Sequence, residues 1–479
     1  MQILELQKKV FKGGIYLVIR QLVGAVMALV GALVIAHILG PEEFGIVAIA
    51  MSVFYFTTAT SKLGLNIYVI RQPDLQEKEA EQILAFYNTV GVAFCILVWF
   101  AAPLVGLWTG HAHIVTPVVQ CLVPIVWLDM VGGLYIGLLE RKLRFAEVGS
   151  IEMLAQITNT ILSLSLVFLN YSYWGPVAGL AAQFLIQAVL GAFYQPIRWR
   201  MRWQWDSLLP ALRFSLGYTG CSWLWSFKSL TIPLLVSRLA GLEAVGILTM
   251  ANRLTAQLGT LWPVVERLSL SGLAKLNHEP ELTRQVISRG MVYQGLVVGP
   301  FQALFSCLSL WAIPLLLGKA WTPSIQIFPF IAFVWLVFAV FTLHASALFV
   351  VGRNDEVAKA YLWHLGLLWL STLLLVPSYG IWGYAAAEMI ALLSYFSLHR
   401  SLVNQFGTLD YGDSFWLVAA TVPPLMLGPS LPMALGLGVF LLSYGLLFLL
   451  RPGLRKVPTE LYSAWRGSSS PQLETLSTQ

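Results

Sequence analysis

Apolar runs long enough to cross a bilayer follow one another from end to end of this chain, and that succession leaves few folds open. A helix needs about 20 apolar residues to span a hydrocarbon core of roughly 30 Å. Runs of this kind fall at 15–38, 44–61, 83–108, 117–139, 149–169, 176–197, 211–237, 245–266, 286–316, 325–350, 358–377, 380–399, 415–429 and 432–450. They predict an all-α integral membrane protein of about 14 transmembrane helices. Barrel strands would show short alternating segments instead, and a spanning backbone must satisfy its own hydrogen bonds. Composition agrees: the 479 residues are 58% hydrophobic and only 11% charged, with a mean hydropathy of +0.75. Soluble domains carry about 25% charged residues, so this surface must be solvated by lipid. The connecting segments are short, which leaves no room for a soluble catalytic domain and predicts a transporter rather than an enzyme.

The basic residues set the orientation. Of 29 Lys and Arg, 22 lie in alternate connections and the two ends, while the opposite connections hold only Arg238 and Lys319. By the positive-inside rule both termini face the cytoplasm. The net charge of +6 is thus a topology signal and not a nucleic-acid patch. The first span reads as an uncleaved anchor. Its leader, MQILELQKKVFKG, sets Ile3, Leu6 and Val10 on one face along the inner surface. Residues 467–479 read as a disordered tail.

Two interruptions repeat. GPEEFG (Gly40 to Gly45) separates spans 1 and 2, and GLEAVG (Gly241 to Gly246) separates spans 7 and 8. In both, glycines permit a tight turn and an acidic residue meets water. WGPVAGLAAQ at span 6 and YGIWGYAAAE at span 12 match at nearly the same offset, aligning Gly179 with Gly383. The chain therefore divides into an N-lobe (1–205), a C-lobe (206–400), and two appended helices with an inner tail (401–466). Because six is even, both six-helix lobes start inside, which makes them a parallel repeat about a pseudo-twofold along the membrane normal, enclosing a central site.

Polar residues in the spans mark that site. A cation at mid-helix costs about 2.5–3.5 kcal/mol on the insertion scale, so it faces protein or a wet cavity. Arg20 shares a face with Gly13, Gly24 and Gly31 in span 1. Span 8 carries Thr249, Arg253, Gln257 and Thr260 on one side, and span 5 carries Glu152, Gln156, Asn159, Ser163 and Asn170. Span 6 adds Gln183, Gln187 and Tyr194. In span 7, Lys228 points away from a stripe of Ser215, Thr219, Ser222, Ser226 and Ser229. Arg20, Gln156, Asn159, Lys228, Arg253 and Gln257 are therefore the candidate substrate-binding residues.

Asp129 and Glu388 stand out among the acidic residues inside spans, each beside small residues. They read either as structural ion pairs with a helix-borne cation or as the site of a coupling proton or sodium ion. Lys62 and Arg289 lie near inner ends and are expected to snorkel. His37, His344 and His364 read as isolated packing residues, as do the four cysteines, which lack metal-ligand spacing. No catalytic residue, metal or cofactor is expected; a proton or sodium gradient remains open as the driving force.

The stretch LVIAHILGPEEFGIVAIAMSVFYF followed by KLGLNIYVIRQ resembles the start of bacterial polysaccharide flippases of the multidrug/oligosaccharidyl-lipid/polysaccharide exporter superfamily. The Gly40 to Gly45 turn and Leu63-Gly64-Leu65 carry the likeness most specifically, and it extends over the whole chain. The resemblance implies export of undecaprenyl-pyrophosphate-linked oligosaccharide through a cationic cavity by alternating access. Lipid-linked oligosaccharide, membrane lipid and polysaccharide assembly proteins are then the expected partners, without nucleic acid. Arginine suits phosphate oxygens, and amides and hydroxyls suit sugars. A multidrug or peptidoglycan-precursor exporter on the same scaffold is the nearest alternative. The multidrug form should favour an acidic or aromatic cavity, and a membrane-embedded glycan polymerase or ligase should carry a sizeable outer loop.

Overall fold

The computed structural model describes residues 2–72, 75–198, 204–260, 262, 263, 265, 266, 269, 273 and 280–456. Every element among them is helical. In chain order they are α1 (Gln2–Ser61), α2 (Leu65–Arg71), α3 (Glu77–Phe86), α4 (Val92–Thr109), α5 (Ala112–Arg141), α6 (Phe145–Phe168), α7 (Trp174–Tyr194), α8 (Trp205–Ser229), α9 (Ser237–Leu258), α10 (Pro280–Leu316), α11 (Thr322–Val350), α12 (Asn354–Ala391), α13 (Tyr395–Phe406), α14 (Gly412–Leu427) and α15 (Met433–Leu450). The all-α membrane class expected from the apolar runs is borne out. Ten helical stretches among the described residues are long and apolar enough to cross a membrane. That number differs from the expected 14 because helices run on where turns were expected. Val26–Ser61, Ser226–Leu258 and Asn354–Phe406 are each continuous in hydrogen bonding yet broken by one non-helical glycine, Gly40, Gly241 or Gly380. The 16-residue α14 is shorter than a typical span. Side chains such as Phe100 (75% exposed) and Phe193 (76%) stand out from the helices, as lipid-facing residues should. The expected tail at 467–479 lies outside the described residues.

The chain folds as two compact units, one of residues 1–250, 314–324 and 361–391, the other of 251–313, 325–360 and 392–479. The first unit contains both repeated turns. Gly40 (φ 72°, ψ 177°) and Gly241 (φ 85°, ψ 179°) adopt the same backbone, in a region that only glycine enters at low cost. The second glycines do something else. Gly45 and Gly246 are helical, and they let the two turns touch backbone to backbone. A Cβ at Gly45 would strike the Leu242 carbonyl oxygen, and one at Gly246 would strike that of Pro41. Pro41 and Leu242 hold the same place in the two motifs, as do Gly45 and Gly246. A contact that reads from i to j and from j to i is that of a twofold.

The glycines of the second matched pair are also sites of close approach. Gly179 leaves room for Asn159 and Ser163 of the preceding helix, and Gly383 leaves room for the Leu375 carbonyl before it. Near the first turn, Trp321 seals the packing: its Nε1 donates to the Ala36 carbonyl at 3.0 Å and its ring meets Phe44 edge-on. In the second unit α14 packs along α15, tied by Thr421 and Tyr444 with their hydroxyls 2.8 Å apart.

Candidate functional site: two intramembrane ion pairs

Both acidic residues singled out within spans have found cations, and both pairs lie in the first unit. Lys62 Nζ is 2.8 Å from Asp129 Oδ1. Lys228 Nζ is 3.1 Å from Glu388 Oε2. Lys62 therefore does not snorkel, contrary to expectation. The chain turns sharply right after it, with Leu63 and Gly64 both at positive φ, and the side chain is directed onto α5. There its ammonium lies over Gly133.

A π-helical segment adjoins each pair, and such segments collect at functional sites because the extra residue re-aims neighbouring side chains. Between α3 and α4, residues Tyr87–Gly91 are π-helical. Tyr87 donates its hydroxyl to the Lys62 carbonyl at 3.2 Å, and Asn88 Oδ1 accepts from Trp127 Nε1 at 3.3 Å. Between α8 and α9, Thr231–Val236 are π-helical, starting three residues after Lys228. Thr231 accepts from Trp369 Nε1 at 3.0 Å. On the acidic side, Tyr384 donates to Glu388 Oε1 at 2.6 Å. His364 lies within electrostatic reach of both Lys228 and Glu388, while its Nδ1 stands 3.1 Å from the Ala391 carbonyl. The expectation that His364 is isolated is thus corrected.

In both pairs the cation is the more accessible partner. The Lys62 and Lys228 side chains keep 21% and 20% of their surface, against 10% for Asp129 and 5% for Glu388. The surface left at each pair belongs mainly to the lysine side chain.

The stripes on spans 5 and 6 face each other. Asn159 Nδ2 donates to Gln183 Oε1 at 2.5 Å and Asn159 Oδ1 accepts from Ser163 at 3.0 Å, across the close seam that Gly179 permits. Gln156 donates to Thr160 Oγ1 at 3.3 Å along its own helix and stays half-buried. The side chain of Arg20 lies outside the described residues.

In the second unit Arg253 and Gln257 sit on α9 as expected and are half-buried, but α9 closes at Leu258. Gly259 breaks it, so Thr260 falls past the end, exposed, and Arg253 lies in the last turns before a break rather than at mid-helix. Beside it Asn252 accepts from Trp335 Nε1 at 3.1 Å. His344 is not isolated either. Its Nε2 and the Nδ1 of His399 each lie 2.7 Å from the hydroxyl of Tyr411, with Phe341 stacked on His344. A pocket of 440 Å³ lined by Glu281, Arg284, Arg289 and Asp410 also belongs to this unit. Its charges are partly matched internally, through Arg284 with Glu281.

With this geometry in place, the likeness to known proteins can be stated. A lipid II flippase, MurJ, in an inward closed conformation superposes with a TM-score of 0.71 over 90% of this chain and 98% of its own, at 12% identity. An inward-facing multidrug transporter of the MATE family gives 0.63 over 82% and 98%, at 13% identity. These likenesses bear on fold alone. By sequence, the succinoglycan biosynthesis transport protein ExoT of Rhizobium meliloti is 24% identical over 74% of this chain and 70% of its own. The lipopolysaccharide biosynthesis protein WzxC of Escherichia coli is 21% identical over 91% and 89%. The family described as polysaccharide biosynthesis protein matches residues 34–326, well over half the chain, and the resemblance read from the Gly40 to Gly45 turn is borne out: the chain belongs to this family.

Proposed function

We propose that the protein moves a lipid-linked oligosaccharide with an anionic pyrophosphate head, of the undecaprenyl type, from the inner to the outer leaflet of the bacterial cytoplasmic membrane, for polysaccharide assembly. The observation that carries this reading is the asymmetry of the two ion pairs. Each keeps its lysine accessible and its carboxylate buried, so the charge on offer suits a phosphate group and repels an organic cation. Family membership and the two curated relatives support the polysaccharide side of it. The glycan head cannot cross hydrocarbon alone, whereas the polyprenyl tail can stay in lipid. A site that switches between inward and outward access meets both needs without trapping the cargo. In this reading both termini face the cytoplasm, and polysaccharide assembly proteins take over the cargo outside.

Reconstitution tests it. In proteoliposomes the protein should carry a polyprenyl-pyrophosphate-linked oligosaccharide between leaflets, and cells lacking it should accumulate that lipid on the inner leaflet. Transport of a cationic dye without transport of the glycolipid would overturn the reading in favour of a multidrug exporter.

A further inference from the structure

We infer that the Lys228–Glu388 pair is a charge-exchange site, at which the anionic head of the cargo takes Lys228 and Glu388 takes up one proton in its place. The inference rests on the proposed cargo having a phosphate head, and it goes beyond it by naming the group that couples binding to protons.

The geometry suits exchange at three points. First, the two carboxylate oxygens have different partners: Oε2 faces Lys228 Nζ at 3.1 Å, and Oε1 accepts from Tyr384 at 2.6 Å. Loss of the lysine therefore leaves the carboxyl group held in place, with Oε2 open for a proton. Second, Glu388 is 5% exposed and Lys228 is 20% exposed. An incoming anion can reach the lysine, but a carboxylate abandoned at that depth cannot be rehydrated, and a buried unpaired charge neutralises by protonation. Third, Lys228 occupies the last turn of α8, directly before the π-helical segment Thr231–Val236, a place where a helix accommodates a change of register.

The balance is simple. A phosphate oxygen, the ammonium–carboxylate pair and one proton from water become a phosphate–ammonium pair and a neutral carboxylic acid. No bond other than the O–H bond is made. Among the described residues, the titratable groups brought to Glu388 are Lys228 from α8, His364 from the first half of α12, and Tyr384 from its own half. His364 is the rival proton acceptor, so the test must separate the two.

A suitable probe is geranyl-pyrophosphoryl-glucose, because each of its phosphates carries a single fixed charge near neutral pH and takes no part in the proton count. Calorimetric binding to the purified full chain, in buffers of different ionisation enthalpy, reads the protons taken up. The wild type should take up close to one proton per probe, and by linkage its affinity should rise about tenfold for each unit that pH falls. Glu388→Gln should bind with no uptake and no pH dependence, Lys228→Met should lose about tenfold or more in affinity, and His364→Asn should keep the uptake. Binding without proton uptake in the wild type would overturn the inference and leave the cargo reading standing. Uptake that survives Glu388→Gln but vanishes in His364→Asn would move the site to the histidine and also overturn it. A wild type that does not bind the probe at all would sink the cargo reading itself, and the inference with it. Should Glu388→Gln fail to fold, the wild-type proton count together with its persistence or loss in His364→Asn still decides.

Discussion

The two intramembrane pairs are alike in composition and unlike in support. Each joins a lysine to a buried carboxylate beside a π-helical segment. At Lys62–Asp129 the neighbouring tyrosine, Tyr87, donates to the lysine's backbone carbonyl and so anchors the end of α1. At Lys228–Glu388 the tyrosine, Tyr384, donates to the carboxylate itself. In one pair the tyrosine therefore steadies the chain turn and leaves the acid to its ion contact, while in the other the acid keeps a second hold when the ion contact is lost. On the exchange proposed above, the difference marks the first pair as a fastener and the second as the one free to exchange.

Stability should separate them most strongly. Asp129→Ala leaves Lys62 without its anion in a mostly buried position, and it should cost about 3 kcal/mol, at the low end for a broken buried pair because the lysine keeps some access to water. Melting of the detergent-solubilised protein reads this loss. The double change Lys62→Met with Asp129→Leu should regain most of it, since an apolar pair needs no desolvation of charge. Glu388→Gln likewise leaves Lys228 without its anion, but an amide oxygen still accepts from Tyr384, so it should cost less, about 2 kcal/mol. Equal losses at Asp129 and Glu388 would erase the distinction.

Transport should rank the lysines the other way. Corrected for the amount of folded protein, Lys228→Met should lose about tenfold or more of glycolipid movement in proteoliposomes, whereas Lys62→Met should lose about twofold. A larger loss at Lys62 would exchange the two roles.

Much of this was legible in sequence, and what was not has identifiable causes. Apolar run length alone gives the membrane class, and the matched glycines of GPEEFG and GLEAVG announce a repeat. Their division of labour is invisible, because a glycine needed for positive φ (Gly40, Gly241) and one needed for backbone contact (Gly45, Gly246) are the same letter. Asp129 and Glu388 stand out as lone acids in apolar runs. The partner of Asp129 is hidden because Lys62 lies 67 residues away and just ahead of a turn that re-aims it. The π-helical segments leave no mark on hydropathy, since inserting one residue into an apolar stretch changes nothing in its composition. The stripes of spans 5 and 6 were visible, but one helix alone cannot reveal that Asn159 looks at Gln183 and not into a cavity.

The smallest expected effect is also the most discriminating. Tyr87→Phe and Tyr384→Phe each remove one hydroxyl from the neighbourhood of an ion pair, and each should cost about 1 kcal/mol of stability, the ordinary worth of one hydrogen bond. Only the second touches a carboxylate. Without Tyr384's donor, Glu388 relies more heavily on Lys228 while ionised, yet its ionised form is the poorer for the loss, and ceding the lysine to an anion in exchange for a proton becomes easier. Tyr384→Phe should therefore bind the pyrophosphoryl probe about two- to fivefold more tightly at fixed pH, the range that roughly 0.4–1 kcal/mol supplies. Tyr87→Phe should bind it as the wild type does, because its hydroxyl meets a backbone carbonyl that keeps the same charge throughout. Tighter binding in both variants would point to a general loosening of the unit. Weaker binding in Tyr384→Phe would mean that the tyrosine holds Lys228's partner in the competent geometry rather than competing with the cargo.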